Sequence, residues 1–151
     1  MRRKDREITD RSSIDRIIRR SKVCHLAVCD DGQPYVIPLN FGYDGQNLYF
    51  HSATAGKKLD ILKKNNRVGF EFDILHEITL SDSFCRWGAR FESIVGSGTA
   101  EFVESQPDKA TALGWIIHQY GGHPGGFTEK ELDCVTVVRI SIRSISGKNR
   151  E

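Results

Sequence analysis

The sequence of 151 residues contains only four cysteines, four prolines and one methionine. It also has no apolar run long enough to approach the length of a membrane span. A helix that crosses a bilayer needs about 20 mostly apolar residues, so no span is predicted. The N-terminus also lacks the apolar stretch of a signal peptide. Four cysteines without a Cys-x-x-Cys pair are too few for a disulfide scaffold. We therefore expect a cytoplasmic protein with reduced thiols.

An excess of charge of one sign is missing too, since the net charge is only +2 at pH 7. Because domains that bind nucleic acid usually carry a larger basic excess, the sequence does not favour a nucleic-acid-binding protein. The histidines have no metal-ligand spacing with one another or with the cysteines, so no metal site is assigned. The length suits one hydrophobic core, and residues 1–151 are expected to form a single domain.

Apolar periodicity and turn residues predict short strands interrupted by helices. A first helix should end near Arg20, with Asp10, Ser12 or Ser13 as its N-cap. A later helix should follow Ser105 and end at Gly121. Strands are expected at 23–29, 35–43, 47–52, 67–73, 90–103 and 134–145, another helix at 55–64, and a loop at 74–89. This pattern predicts an α+β fold around a six-stranded antiparallel barrel, closed or half-open.

Turn and glycine positions add detail to this barrel. The turns at 30–32 and 44–45 predict two consecutive hairpins, which would place the strand at 35–43 beside the strand at 47–52. Gly96 and Gly98 interrupt the strand at 90–103, and glycine inside a strand often marks a bulge.

The most informative stretch lies at 51–58, where a strand runs into a helix. Lys57 and Lys58 fall in the first turn of that helix, whose N-terminus already carries partial positive charge and free N–H groups. An anion bound there would explain two lysines, and the hydroxyls of Ser52 and Thr54 would add donors for a phosphate. The alternative is an ordinary solvated helix face, continued by the lysines that follow.

The second signal is Pro38, which lies in the middle of a strand pattern. Proline cannot donate a ladder hydrogen bond, so this strand is an edge, a bulge, or a place where something other than a strand lies alongside. A flat ligand at Ile37 and Pro38, with a phosphate tail at Lys57 and Lys58, would have the shape of FMN. An ordinary edge strand explains Pro38 equally well.

Both signals belong to a wider pattern that is formed by four segments: YVIPLN at 35–40, LYFHS at 48–52, GKKL at 56–59 and NNRVGF at 65–70. Together they resemble the FMN-binding core of the pyridoxamine-phosphate-oxidase-like superfamily, whose fold is a split β-barrel. The combination of His51, Ser52 and the Gly56-Lys57-Lys58 run is similar to its nitroimidazole-resistance branch.

The resemblance implies a cofactor, a set of contacts and an assembly. The cofactor is FMN, bound by a homodimer in which each flavin site uses both chains. Segment 91–98 is similar to the next strand of the family, whose position matching Ser93 lies near the flavin. The implied cofactor-binding residues are Val36, Ile37, Pro38, Leu39 and Asn40 for the ring, His51, Ser52, Lys57 and Lys58 for the tail and phosphate, and Trp87 and Ser93 for a second wall.

This sequence departs from true pyridoxamine-phosphate oxidases at two positions of segment 35–40 and at its end. Those enzymes place arginine where Tyr35 stands and lysine where Asn40 stands, and they end in an arginine- and histidine-containing segment that residues 144–151 do not match. Oxidation of vitamin B6 is therefore not expected. Two hypotheses remain: a flavin-dependent reductase of nitroimidazoles or other small oxidised compounds, and a non-catalytic protein that stores or senses flavin or haem.

Overall fold

The computed structural model of the protein describes residues 4–150, which form one sheet of eight antiparallel strands and four α-helices. The strands are β1 (Glu7–Ile8), β2 (Cys24–Asp30), β3 (Gln33–Leu39), β4 (Gly42–Tyr43), β5 (Asn47–Ser52), β6 (Arg67–Thr79), β7 (Gly88–Val103) and β8 (Thr136–Arg150). The helices are α1 (Arg11–Arg20), α2 (Lys57–Lys64), α3 (Gln106–Gln119) and α4 (Glu129–Asp133). Short 3-10 turns occur at Lys4–Arg6 and Phe84–Arg86.

The strand order across the sheet is β3-β2-β6-β7-β8-β5-β4, and β1 pairs with β8. The expected antiparallel α+β architecture is confirmed, but the sheet has eight strands in place of the expected six. The two additional strands, β1 and β4, contain two residues each. β1 is too short to carry a period-two signal, and β4 is the end of the single strand that was expected at 35–43.

The predicted meander is wrong in its second half. The expected strand at 35–43 is broken after Leu39, so β3 pairs with β2, whereas β4 pairs with β5. As a result β3 and β5 are not neighbours in the ladder and lie towards opposite ends of the sheet order. The break occurs at Phe41, whose ring is buried 4.8 Å from the ring of Phe72, because packing into the core takes precedence over continuing the strand.

The three longest strands extend beyond their predicted ends. β6 continues to Thr79 through a segment expected to be a loop, and β8 continues to Arg150. In β6 the residues after Ile74 are exposed, so they lack the alternation that marks a half-buried strand. The predicted glycine bulge is confirmed, because the β7–β8 register shifts between Ser97 and Gly98.

The helix ends follow local signals closely. The Asp10 side chain accepts a hydrogen bond from the Ser13 backbone N–H at 2.9 Å and caps α1, and the Ser105 side chain caps α3. Gly121 follows the end of α3 as predicted. Helix α4 was not predicted, although Thr128 and Glu131 form a complete capping box at its start. Its five residues are too few for a periodicity signal.

Two groups of buried side chains stabilise the fold. The larger group fills the space between the sheet and α1 and α2, and the smaller group lies beneath α3 and α4. All four thiols are free, and burial raises the pKa of the Cys24 thiol to about 12. Between residues 4 and 150, none of the helices combines the length and the apolar composition that a membrane crossing requires.

Close packing of β4 against α3 makes Gly42 a sensitive position. A Cβ at Gly42 would lie 2.5 Å from the backbone nitrogen of Ile116 and 2.6 Å from the carbonyl carbon of Trp115. Backbone atoms cannot rotate away as a side chain can. We expect Gly42→Ala to lower the free energy of unfolding by about 3 kcal/mol, the upper part of the usual overpacking range, measured by chemical denaturation.

Gly69 provides the matched control for this substitution. A Cβ there would meet the Ala27 Cβ at 3.7 Å, an ordinary van der Waals contact. Gly69→Ala should therefore change the free energy of unfolding by less than about 1 kcal/mol. Similar losses for both variants would contradict the close approach of β4 to α3.

Candidate functional site

The N-terminus of α2 differs from the N-termini of the other three helices. The side chains of Asp10, Ser105 and Thr128 each accept a backbone N–H at the start of α1, α3 and α4. Helix α2 instead begins after Gly56, which has a φ of 145° and offers no side-chain acceptor. The N–H groups of the first turn of α2 are thus without a side-chain cap, as in helices that bind anions.

Lys57 and Lys58 stand at this uncapped end. The Lys57 Nζ lies 4.8 Å from the centroid of the Tyr35 ring, and the Lys58 Nζ lies 5.8 Å from the centroid of the Phe50 ring. None of the ion pairs found among residues 4–150 includes either lysine. Burial lowers the pKa of Lys58. Two ammonium groups without a carboxylate partner favour an anion here.

The contact between Lys57 and Tyr35 brings α2 to β3. The sequence pattern predicted this proximity through a hairpin, which is wrong, since β3 and β5 do not pair. The structure achieves it instead through the contact of the Lys57 side chain, at the start of α2, with the ring of Tyr35, which pairs with Val28 of β2. The predicted ring-binding strand and the predicted phosphate-binding helix are therefore neighbours.

β3 is an edge strand, because β2 is the partner that the structure gives it among the described residues. This explains how Pro38 is accommodated. Val36, with 59% of its surface exposed, faces outward together with Pro38, whereas Ile37 and Leu39 pack against the core. Asn40 is exposed just after the strand ends. An apolar edge with free backbone groups can receive a flat ligand.

His51 and Ser52 occupy the end of β5, paired with Val137 and Thr136 of β8. His51 is exposed and Ser52 is half-buried. His51 lines a groove of about 430 Å³ together with residues of α3 and α4, and the two lysines of α2 do not line that groove. The structure thus places His51 beside a groove that residues of α3 and α4 also line.

Trp87 and Ser93 lie on the β6–β7 hairpin. Ser93 is half-buried in β7, between Asp73 of β6 and Lys148 of β8. Trp87 is 46% exposed, and its indole N–H donates to the Ser81 carbonyl at 2.7 Å. We call residues 75–88 the hairpin arm. It carries five exposed large apolar side chains: Leu75, Ile78, Leu80, Phe84 and Trp87.

One row on the outer face of the sheet beside β3 consists mainly of small residues. In one row across the sheet, Val36 of β3 is followed by Ala27, Gly69 and Ser97 of the next three strands. Glycine and other small side chains in a strand allow a ligand or another chain to approach the backbone closely. This row therefore has room for a planar molecule or for another protein surface.

The next row contains a cluster of titratable groups that sequence reasoning missed. His25 of β2 lies opposite Glu71 of β6, and its Nδ1 is 2.9 Å from the Glu71 Oε2 and 3.9 Å from the Asp73 Oδ1. Burial raises the pKa of Glu71, and the nearby Asp73 carboxylate adds to this rise. The three ligand atoms lie within 4.8 Å of one another, so they could also hold a metal ion. Because His25 precedes Glu71 by 46 positions in the chain, no local spacing could have shown the cluster.

Comparison with known proteins identifies the family. The sequence model of the family described as pyridoxamine 5'-phosphate oxidase matches residues 10–149. The chain therefore belongs to this family. Its fold is the split barrel that the resemblance implied: a crystal structure from Bacteroides thetaiotaomicron, provisionally described as a 5-nitroimidazole antibiotic resistance protein, is 31% identical, with a TM-score of 0.85 over 94% of this chain and 85% of that one.

Two more distant structures share the fold. The flavocytochrome Anf3 from Azotobacter vinelandii is 22% identical with a TM-score of 0.86, and covers 100% of this chain and 72% of its own. An FAD- and haem-binding protein from Mycobacterium smegmatis is 21% identical with a TM-score of 0.84, and covers 97% of this chain and 74% of its own. A curated, uncharacterized protein of Rhizobium meliloti is 28% identical over 64 residues, and this region spans 42% of the length of each protein.

Proposed function

We propose that the protein is an FMN-dependent reductase of nitroimidazoles or other small oxidised compounds, acting as a single-domain homodimer in the cytoplasm. The observation that carries this proposal is the uncapped start of α2, where Lys57 and Lys58 lie without carboxylate partners beside the apolar edge strand β3. Two comparisons support an oxidation–reduction reaction. The chain belongs to the family described as pyridoxamine 5'-phosphate oxidase, and it is similar to a protein provisionally linked to nitroimidazole resistance.

The donor chemistry of the site suits FMN. Two ammonium groups and free helix N–H groups suit a phosphate, and the exposed side chains of Val36 and Pro38 suit an apolar ring. Tyr35, beside Lys57, precedes Pro38 by three residues of strand, about 10 Å. Because side chains alternate along a strand, Tyr35 and Pro38 point to opposite faces, so the cofactor would cross the edge of β3 between its phosphate and its ring. We assign the phosphate to Lys57 and Lys58, and the ring to residues 36–40.

The remaining predicted contacts are assigned more distant roles in the same proposal. Ser52 would support the tail next to the start of α2, and His51 would contribute from the β5 end. FMN, when bound, supplies the electron transfer from a nicotinamide or another donor to the acceptor. The protein's own residues hold the cofactor, orient its ring against β3 and present the flat outer face to a substrate.

The first test is the identity of the bound cofactor. We expect the purified protein to show flavin absorption bands and to release FMN on denaturation, as identified by mass spectrometry. Proteins with a similar fold are described as binding FAD, as binding FAD and haem, or as an F420 reductase. The released cofactor should therefore also be tested for FAD, haem and F420. Recovery of a deazaflavin or haem without FMN would contradict the assignment.

A non-catalytic role in storing or sensing flavin or haem is the second candidate. It is supported by the similarity in fold to a flavocytochrome and to an FAD- and haem-binding protein. Turnover with a reduced nicotinamide separates the two functions. Flavin that a nicotinamide does not reduce, in a protein that binds it tightly, would favour this second role.

The hairpin arm supports the proposed homodimer, in which Trp87 and Ser93 provide the second wall of the partner's flavin site. Exposed apolar patches of this kind usually mark interaction surfaces, and Phe84 is 83% exposed. We expect the protein to sediment as a dimer, and the double variant Leu80→Ser/Phe84→Ser to shift it towards monomer while the fold remains intact by circular dichroism.

Val23 gives a control for this prediction, because it is apolar and 39% exposed but lies outside the arm. Val23→Ser should leave the dimer unchanged. A wild-type monomer that still binds FMN tightly would rule out a shared site.

A further inference from the structure

The cluster of His25, Glu71 and Asp73 is assembled by strand register on the outer face of the sheet. His25 of β2 lies directly opposite Glu71 of β6, and directly paired residues point to the same side of a sheet. Asp73 follows Glu71 by two positions in β6 and points to that side as well. The three side chains are between 35% and 53% exposed, so an ion can reach them from solvent.

The donor atoms of this cluster are close enough to share one ion. The His25 Nδ1 lies 2.9 Å from the Glu71 Oε2 and 3.9 Å from the Asp73 Oδ1, and one donor atom from each residue lies within 4.8 Å of the others. Ligands bind zinc at about 2.1 Å, so two ligands of a tetrahedral site are roughly 3.4 Å apart. The two measured separations lie on either side of this value, and a small rotation of the exposed Asp73 side chain would close the difference.

The two carboxylates of the cluster have no fixed cation to balance them. Among residues 4–150, neither Glu71 nor Asp73 pairs with a lysine or arginine, and His25 is the partner that both share. A divalent cation would supply the missing positive charge between them. Elsewhere on β6 and β7, three carboxylates each pair with an arginine: Glu77, Glu92 and Glu101.

We propose that His25, Glu71 and Asp73 form a binding site for a divalent transition-metal ion of the zinc class. An imidazole ligand favours such ions over Mg²⁺ and Ca²⁺, which prefer oxygen ligands alone. Three protein ligands leave a coordination position for water, as in zinc sites that accept a further ligand. Because His25 also pairs with Pro38 of β3, the ion would lie beside the proposed ring-binding strand. The site needs no flavin, so it stands independently of the proposed reductase activity.

Titration of the tag-free, chelator-treated protein with zinc chloride, followed by calorimetry, tests the site. We expect one Zn²⁺ to bind per chain and to stay bound in a roughly 100-fold excess of Mg²⁺. Glu71→Gln and Asp73→Asn keep the size of each side chain but remove a ligand charge. Each should weaken Zn²⁺ binding by at least about tenfold, because even outer-shell changes commonly cost about 10- to 100-fold in metal affinity. His25→Gln should weaken it by at least as much.

His76 provides the matched control, because its Nε2 lies 3.0 Å from the Glu92 Oε2 and Arg20 also pairs with that carboxylate. His76→Gln removes a histidine–carboxylate pair whose negative charge is already balanced, and it should leave Zn²⁺ affinity unchanged. Exposed thiols also bind zinc, and Cys85 and Cys134 are exposed. The variant Cys85→Ser/Cys134→Ser should therefore keep the one-to-one binding.

The imidazole ¹⁵N spectrum gives a readout at the site itself, in which Zn²⁺ should shift the Nδ1 signal of His25 and leave the His76 signals in place. A wild-type protein that binds no Zn²⁺ below about 1 mM would overturn the proposal and leave His25 and Glu71 as a simple pair. Binding that survives both Glu71→Gln and Asp73→Asn, or that is lost with the two thiols, would also overturn it, because the ion would then lie elsewhere. Circular dichroism of each variant checks that a loss of binding is not a loss of the fold.

Discussion

Replacing both Lys57 and Lys58 with alanine is expected to weaken FMN binding by roughly 100-fold to 10,000-fold while riboflavin binding changes little. Charge-assisted hydrogen bonds contribute about 1.5–3 kcal/mol each, and each 1.4 kcal/mol corresponds to about tenfold in affinity. Riboflavin lacks the phosphate that these ammonium groups would hold. Titration of the flavin-free variant with each ligand, followed by flavin fluorescence, measures both dissociation constants.

The same helix offers a control of equal charge. Lys63 and Lys64 are exposed residues in the last turn of α2, where lysines suit the helix dipole and no anion is proposed. Lys63→Ala/Lys64→Ala removes the same formal charge from the same helix and should change FMN affinity by less than about threefold. Equal losses of FMN and riboflavin affinity in the Lys57/Lys58 variant would refute the phosphate assignment.

Features decided by nearby residues could be predicted from the sequence. The Asp10 cap of α1, the Ser105 cap of α3, the end of α3 at Gly121 and the bulge at Gly98 all depend on interactions within a few positions or on the lack of a side chain. The uncapped, lysine-rich start of α2 belongs to the same class. These local signals were enough to predict the architecture, and they are the basis of the proposal that an anion binds at the start of α2.

Features decided by distant packing could not be predicted in this way. The strand expected at 35–43 breaks because Phe41 packs on Phe72 and because Gly42 lies against the backbone of α3. The residues near position 40 contain no local signal that would predict either contact. The pairing of His25 with Glu71 likewise depends on the register of β2 with β6. The alternation of β6 after Ile74 is lost because this part of the strand is exposed.

The second large effect concerns the choice of substrate. Reduced, FMN-loaded protein should be reoxidised by nitroaromatic compounds without oxygen, whereas pyridoxamine phosphate should fail to reduce the oxidised flavin. The resemblance implies that true pyridoxamine-phosphate oxidases have arginine at the position of Tyr35 and lysine at that of Asn40. Here the Tyr35 ring is covered by Lys57, a residue already assigned to the cofactor phosphate.

The end of the chain also differs from a phosphate-binding segment. Residues 144–150 belong to β8 and pair with β1 and β7, and the Lys148 Nζ lies 5.6 Å from the centroid of the Phe91 ring. The Arg150 guanidinium packs against Gly88. These two cations lie on the sheet and beside its hairpin arm, and they belong to a paired strand in place of the arginine- and histidine-containing end segment of the oxidases.

A substrate phosphate that loses water without gaining such partners costs several kcal/mol, on the order of 1,000-fold or more in catalytic efficiency. A nitro group has no such requirement, because it is flat and weakly basic and can stack against the ring with few polar contacts. Stopped-flow absorption of the flavin, with each substrate in turn under anaerobic conditions, measures both half-reactions. Fast flavin reduction by pyridoxamine phosphate would contradict the expected selectivity. Reduced flavin that no nitro compound reoxidises would instead support the storage or sensing role.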